Sequence, residues 1–375
     1  MKGSTRESRG RGRISRAAVL AAIAALLLLL PQVGDSQWWR ILDKHFNRPG
    51  NILISDQFNN RVIEIEKDGH IIWQYGVGPS DLTATSPLGV NDAQRVGPLT
   101  LIAATGVPPG LEPGCDLGCP DNRVFLIDPF GDIIWQYGQF GVTGSDFNQL
   151  NTPVQATWLP NGNVLITDQG NQRIIEVDRG KDIVWQYGQT GIAGNGPNQL
   201  DSPNSAELLA NGHILISDEN NNRAIEVTRA LDIVATFTAG GTTGAIAFAS
   251  RLPNGHTLLT DAGNNRAVEV DRNDFIVWQY VTNTEPGSNP DPSPSRAIRL
   301  RDGLTIISDQ FNDRVIIVDR KGKIRATYGI LNTPGFDPDN AKVGLNAPYD
   351  AKVNGDYTGL TPPFFRFPIK WGWMF

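Results

Sequence analysis

The side chains most able to do chemistry in this chain are four histidines, at positions 45, 70, 213 and 256. His213 and His256 follow Asn-Gly turns and His70 follows Asp-Gly. General-base catalysis, an activated nucleophile or a zinc site each requires such groups to converge with acidic or nucleophilic partners. No spacing typical of a nucleophile–His–acid set or of metal ligands surrounds them. We therefore predict no cofactor and no metal site.

The two cysteines lie close together, at Cys115 and Cys119 in the segment Cys-Asp-Leu-Gly-Cys. In an oxidising compartment we expect them to form a disulfide, with two free thiols as the alternative. Two cysteines alone make no metal site, because a structural zinc needs four ligands and no nearby histidine completes the set.

A charged motif, Asp-x-x-Asn-x-Arg, recurs along the chain. It occupies 56–61, 168–173, 218–223, 261–266 and 309–314, and a sixth copy keeps Asn122-Arg123 but has Thr105 where Asp is expected. Asp and Asn favour tight turns, and Arg pairs with carboxylates. Because the motif appears in every repeat, we interpret it as part of the architecture and not as a ligand site.

The repeat predicts the fold. Each motif is flanked by short β-branched runs, and in four copies a Trp-Gln-Tyr segment begins twelve residues after the Arg. In the copy at 153–188 these runs predict four short strands separated by Gly, Asn and Asp turns. The chain is therefore predicted to be an all-β, six-bladed β-propeller of four-stranded antiparallel blades. Either the segment after Leu345 or Ile41–Phe46 supplies the innermost strand of the first blade.

The consensus at 162–177, Gly-Asn-x-Leu-x-Thr-Asp-x-x-Asn-x-Arg-x-x-Glu-Val, resembles the NHL repeat. It is also similar to repeats of bacterial propellers of the arylsulfotransferase-like and quinoprotein-like types. The resemblance covers about residues 41–357 and implies a six-bladed propeller. The arylsulfotransferase resemblance further implies a catalytic His facing the central channel, and here only His45 stands near a matching place. Such propellers serve as lyases, sulfotransferases, RNA binders or protein-binding scaffolds.

Six alanines align at one position of the innermost strands, where converging strands leave room only for small side chains: Ala93, Ala156, Ala206, Ala249, Ala297 and Ala351. Residues beside these alanines differ between blades, which makes them the better candidates for function. We predict a channel site for a small polar or anionic ligand, with a water-filled channel of mutually paired charges as the alternative. The candidates are Asp92, Gln94, Arg95, Gln155, Glu207, Arg296, Arg299, Asp350 and Lys352.

Residues 1–36 form a separate unit, followed by a propeller domain at 38–357 and an aromatic tail at 358–375. Six basic residues precede the apolar run Ala17–Leu30, which predicts a cleaved signal peptide or a retained N-terminal anchor. We expect the rest of the chain to be periplasmic or extracellular. The part after residue 36 holds 27 basic and 37 acidic residues, a net charge of −10 that argues against a nucleic-acid partner.

Long loops suggest where recognition occurs. The second-to-third strand turn of blade two is expanded and contains both cysteines, and 281–295 and 330–347 are long and rich in Pro, Asn and Asp. We predict a monomeric, non-enzymatic scaffold that binds a protein or a small polar ligand through this loop face. The alternative is a transferase or lyase with a site in the channel. We expect the tail, with six aromatics from Pro362 to Phe375, to pack on the propeller, and the alternatives are contact with a membrane or partner and a disordered tail.

Overall fold

The computed structural model describes residues 45–241 and 243–363, and the signal or anchor segment and the tail beyond Pro363 lie outside these residues. The described residues form six four-stranded antiparallel sheets with almost no helix. The predicted six-bladed β-propeller is thus confirmed. Single-turn 3₁₀ helices stand between the second and third strands of four blades, at Gln57–Asn59, Gln169–Asn171, Ala262–Asn264 and Gln310–Asn312.

The strands follow one another from the axis outward in each blade. Blade one contains β1 (Ile52–Asp56), β2 (Arg61–Ile65) and β3 (Ile71–Tyr75), and blade two contains β4 (Val90–Val96), β5 (Leu99–Val107), β6 (Cys119–Ile127) and β7 (Ile133–Gly138). Blade three contains β8 (Pro153–Trp158), β9 (Val164–Asp168), β10 (Arg173–Val177) and β11 (Ile183–Tyr187), and blade four contains β12 (Pro203–Leu208), β13 (Ile214–Asp218), β14 (Arg223–Val227) and β15 (Ile233–Phe237). Blade five contains β16 (Ile246–Arg251), β17 (Thr257–Asp261), β18 (Arg266–Val270) and β19 (Ile276–Val281), and blade six contains β20 (Arg296–Arg299), β21 (Thr305–Asp309), β22 (Arg314–Val318) and β23 (Ile324–Gly329), followed by β24 (Pro348–Val353).

The C-terminal strand closes the ring. β24 pairs antiparallel with β1, placing Ala351 opposite Ile54 and Val353 opposite Ile52, so it is the innermost strand of blade one. Of the competing segment Ile41–Phe46, residues 41–44 lie outside the described residues. Phe46 packs against Trp73, with 6.0 Å between the ring centroids. Pairing the last strand with the first blade joins the two ends of the chain without leaving an unpaired inner edge.

The Asp-x-x-Asn-x-Arg motif connects segments on the loop face, the side of the ring that carries the turns between second and third strands and the connections between blades. In blade three the buried Asp168 accepts hydrogen bonds from Arg173 Nε (2.8 Å), from Asn171 Nδ2 (2.8 Å) and from the backbone N–H of Asn151 just before β8. One carboxylate therefore joins the turn between the second and third strands to the connection that leads into the first strand. Asp56, Asp218, Asp261 and Asp309 are equally buried and each binds its own Arg and Asn.

Blade two, which lacks the motif Asp, obtains its carboxylate from another position. Asp121 is two residues before Arg123 and accepts from both its Nε (2.5 Å) and its Nη2 (2.9 Å). Asp121 also accepts the backbone N–H of Leu88. The connections to the Arg and to the chain before the innermost strand are thus made although Thr105 stands at the usual Asp position. Asp121 stands two residues before the Arg, at the position of the motif Asn, and supplies the missing carboxylate from the third strand of the blade.

The residue before each motif Arg has a left-handed backbone, which explains why these positions are occupied by Asn, Gln or Asp: Asn60, Asn122, Gln172, Asn222, Asn265 and Asp313. The glycine that ends four of the outer strands meets this turn. A Cβ atom at Gly188, for example, would lie 2.3 Å from the carbonyl oxygen of Gln172. The glycine in Trp-Gln-Tyr-Gly is therefore required by a close backbone approach.

The hydrophobic core lies between adjacent blades. One cluster combines Leu165 and Ile174 of blade three with Ile214 and Ile216 of blade four, all essentially inaccessible to solvent. Each blade buries one face against each neighbour, so the strands carry near-continuous apolar runs and not strict alternation.

We expect Asp168→Ala to lower the free energy of unfolding by about 3–5 kcal/mol, because it leaves the buried Arg173 guanidinium and the Asn151 amide without their carboxylate. Urea unfolding followed by Trp fluorescence measures the change. Asp182→Ala, at an exposed position of the same blade, is the control and should change stability by less than about 0.5 kcal/mol. An effect of Asp168→Ala as small as the control would contradict this role.

Candidate functional site

The aligned alanines occupy equivalent positions beside the axis. Each faces an aliphatic residue of the second strand, as Ala156 faces Ile166 and Ala206 faces Ile216. The residues before and after each alanine form two successive layers around the axis, one nearer the loop face and one nearer the opposite face. The structure gives these layers different roles.

Arg296 fills the axis in the layer nearer the loop face. From blade six, its Nη1 donates to Asn204 Oδ1 of blade four (2.9 Å), and its Nη2 donates to the carbonyl oxygen of Val154 in the opposite blade three (3.4 Å). The guanidinium also lies 4.9 Å from the centre of the Tyr349 ring. Arg296 is fully buried, so this part of the channel is occupied by protein.

Asp92, Asp350 and Lys352 form a buried cluster on the opposite side of the ring from Glu207. The Nζ of Lys352 donates to Asp92 Oδ1 (2.5 Å), to Asp350 Oδ2 and to the carbonyl oxygen of Ala93 (3.0 Å). Two carboxylates thus share one ammonium. Burial raises the pKa of Asp350 to about 6, opposed by Lys352 and reinforced by Asp92. The same two carboxylates raise the pKa of Lys352 against the effect of its own burial.

The other end of the channel is closed by a residue that sequence reasoning missed. Thr361 donates to Glu207 Oε2 through its backbone N–H (2.7 Å) and its hydroxyl (2.5 Å), and Gln94 Nε2 donates to its carbonyl oxygen (3.3 Å). Gln155 Nε2 donates to the other oxygen of Glu207 (3.0 Å). Burial raises the pKa of Glu207. The segment after β24 therefore plugs the channel, and no sequence motif marks Thr361.

Arg95 and Arg299 lie apart from this central cluster. Each follows its inner-strand alanine by two residues and pairs with the third-strand Glu of the preceding blade, Arg95 with Glu64 and Arg299 with Glu269. Each guanidinium also covers a Trp, at 4.2 Å from the Trp73 ring centre for Arg95. These pairs give the Glu of the third strand a structural role, because each joins one blade to the next.

The histidines lie in turns and in seams, which are the contacts between adjacent blades. His213 and His256 place Nδ1 at 2.7 Å and 2.8 Å from carboxylate oxygens of Glu226 and Glu269, and His45 places Nδ1 at 2.6 Å from Glu66. Within residues 45–241 and 243–363, no group of three or more His, Cys, Asp or Glu side chains is arranged to hold a metal ion. No helix among these residues is long and apolar enough to cross a bilayer.

The expanded turn of blade two is an ordered hairpin on the loop face. β5 and β6 continue beyond the usual strand ends, pairing Gly106 with Pro120 and Val107 with Cys119. Cys115 and Cys119 form the predicted disulfide. Cys115 is buried in a small cluster with Leu88 and Val107. The loop is therefore anchored to the blade by strand pairing, by a covalent bond and by apolar packing.

Leu117, inside the disulfide loop, is 94% exposed. Beside it lies a cleft of about 370 Å³ that reaches from Pro108 and Leu117 to Thr143 and Thr152 in the next connection. A bulky apolar side chain projects here from a covalently closed loop at the rim of an open cleft. Position 117 stands out only in the structure, since the sequence shows a loop but not which of its side chains is unpacked.

Comparisons with known proteins identify the fold alone. No family model matches the chain, and no curated protein matches it. A protein of unknown function from Bacteroides caccae superposes with a TM-score of 0.55 at 17% identity, covering 81% of this chain and 98% of that one. Virginiamycin B lyase from Staphylococcus aureus gives a TM-score of 0.47 at 14% identity, covering 75% of this chain and 85% of that one. The resemblance of the repeat to the NHL repeat stays a prediction.

Asp350 predicts a specific pH dependence of stability. Its pKa in the folded protein, about 6, lies above the ordinary value of 3.8, so its stabilising contribution is complete below pH 3.8 and is lost as the pH rises through 6. Asp350→Asn should therefore flatten the decline in unfolding free energy over this range, by up to about 3 kcal/mol. Chemical unfolding at a series of pH values tests this. Profiles of wild type and variant that stay parallel would contradict it.

The disulfide should stabilise the hairpin modestly because it closes a short loop. Replacing both Cys115 and Cys119 with Ser is expected to lower the free energy of unfolding by about 2 kcal/mol. Hydrogen exchange should increase in 105–120 and remain unchanged in blades four and five. Uniformly faster exchange across all blades would show that the bond supports the whole ring and not the loop.

Proposed function

We propose that this protein is an exported, non-enzymatic binding protein that docks a protein partner through its loop face, with the blade-two hairpin as the principal contact. The observation that carries the proposal is the exposure of Leu117 on a disulfide-closed loop. Leaving a leucine in water is unfavourable by about 1.5–3 kcal/mol relative to burying it, and that free energy is recovered when a partner covers it. A pre-organised loop also loses little conformational entropy on binding.

Further apolar side chains are exposed in other connections of the same face. Val77 and Phe147 lie in the connections that follow blades one and two, and Ile330 and Phe336 lie in the connection that follows blade six. Single exposed apolar residues are ordinary on protein surfaces. Their presence in several loops of one face supports a broad apolar contact there.

The charge of the loop face indicates the chemistry of the partner. The six blade-to-blade connections and residues 105–120 contain nine acidic residues and one basic residue, Lys342. The motif arginines nearby are held by their own Asp partners. A partner with apolar pockets and a basic rim would therefore be attracted to this face, and its association rate would fall with added salt.

The state of the central channel also supports a non-enzymatic role. Most of its candidate polar side chains are buried and bonded to other groups of the protein, and Arg296 and Thr361 occupy the axis at two levels. A substrate would have to displace these contacts to reach the polar groups. The loop face requires no such rearrangement.

Photo-crosslinking from position 117 tests the proposal. We expect p-benzoylphenylalanine in place of Leu117, expressed in the native host, to give a discrete crosslinked adduct with a protein. The same residue in place of Val184 is the matched control, because Val184 is an exposed apolar residue on the outer strand of blade three.

The yield of the adduct should fall with added salt, and no adduct should form when Cys115 and Cys119 are both replaced by Ser. The proposal fails if position 117 gives no adduct. It fails equally if the adducts from 117 and 184 are the same, since that would show nonspecific contact with neighbouring proteins.

A further inference from the structure

The seams between blades differ in their charge balance on the face opposite the loop face. At a seam, the third-strand Glu of one blade stands near two positions of the next blade. One is two residues after the alanine of the innermost strand. The other is the second residue of the turn between the third and fourth strands. At the seam between blades three and four these two positions are Leu208 and Arg229, and Glu176 forms an ion pair with Arg229. One carboxylate then balances one guanidinium.

The seam between blades five and six carries an excess of positive charge. There Glu269 Oε2 accepts from Arg299 Nη2 (3.0 Å) and also from Arg320 Nη1, while Oε1 contacts His256 Nδ1 (2.8 Å). The guanidinium groups of Arg299 and Arg320 both lie near the Trp278 ring, at 4.6 Å and 5.7 Å from its centre. Two guanidinium groups thus share one carboxylate.

Arg299 is not fully satisfied by this arrangement. Arg299 is 5% exposed, and in the described part of the chain its Nε has no hydrogen-bond acceptor. Burial and the neighbouring Arg320 lower the pKa of Arg299 to about 10, only partly opposed by Glu269. A second anion at this place would relieve the repulsion between the two cations.

A cleft of about 390 Å³ opens beside these groups. Three arginines, Arg299, Arg301 and Arg320, and one carboxylate, Glu269, line it, which gives the lining a net charge of +2. Its remaining walls include Leu252, Leu300 and the hydroxyl-bearing Thr358. The nearby Asp356 accepts hydrogen bonds from the backbone N–H groups of Arg301 and Thr358 and from the Thr358 hydroxyl (2.7 Å).

We propose that the cleft between blades five and six binds an oxyanion of the phosphate or sulfate class, held by Arg299, Arg301 and Arg320. A dianion matches the net charge of the lining, and guanidinium groups are suited to several parallel N–H···O bonds with its oxygens. The apolar walls leave room for the organic part of a monoester. This site is separate from the loop face and does not depend on the proposed docking function.

Calorimetric titration of the full chain with inorganic phosphate, at constant ionic strength, tests the site. We expect saturable binding that is at least about tenfold weaker in Arg320→Gln, since each charge-assisted hydrogen bond contributes about 1.5–3 kcal/mol. Arg301→Gln should weaken binding in the same direction. Both side chains lie at the surface, and thermal unfolding without phosphate confirms that the variants fold.

Arg325→Gln is the matched control, because this substitution removes the same charge from the same blade. Arg325 pairs with Asp319 and lies outside the cleft. It should leave the affinity unchanged. Equal weakening by Arg325→Gln and Arg320→Gln would overturn the site in favour of diffuse electrostatic attraction, as would the absence of saturable binding to wild type.

Two further titrations define the ligand. If phenyl phosphate binds more tightly than inorganic phosphate, the cleft is a monoester site whose apolar walls contact the phenyl ring. If the two ligands bind with equal affinity, the cleft is a site for the free anion. Acetate, a monoanion, should bind more weakly than either. Acetate binding as tight as phosphate would contradict the assignment to dianions.

Discussion

Closure of the ring through the C-terminal strand is the constraint on which the rest of this structure depends. A blade with apolar residues on both faces is stable only between two neighbours, so the first and last blades must meet. β24 makes that connection by adding the innermost strand to blade one. The closing strand also brings Asp350 and Lys352 to the axis, where Lys352 joins Asp92 of blade two. The residues that close the ring are therefore also the residues that fill its centre.

The same closure determines what happens to the channel. The chain leaves β24 on the face opposite the loops and turns back, so that Thr361 reaches Glu207 of blade four and Gln94 of blade two. Arg296 spans the axis at the other level. Polar groups buried at a low dielectric must find partners, and here they find one another across the ring. The centre thereby becomes a polar core that couples opposite blades.

Both proposed binding sites lie at places where the repeat is irregular. The repeated Asp–Arg and Glu–Arg ion pairs neutralise charged side chains within the blades, and each pair joins a turn or a seam. Blade two departs from the pattern through its stapled hairpin, which exposes Leu117, and the seam between blades five and six departs through a second Arg on one Glu. The first is an apolar feature on an acidic face and the second is a cationic cleft on the other face, so they suit ligands of different chemistry.

The sequence by itself favoured a disulfide between two cysteines only four residues apart, and it determined the all-β class, the number of blades and the four strands of each blade. These follow from local periodicity and turn residues, which repeat and so can be compared within one chain. Only the tertiary structure decided which terminus closes the ring, that Asp121 replaces the missing motif Asp, and that Thr361 plugs the channel. It also separated Arg95 and Arg299, which join neighbouring blades, from Arg296, which crosses the axis. Those outcomes depend on contacts between residues tens to hundreds of positions apart, and the direction of a side chain relative to a distant blade is not encoded in local spacing.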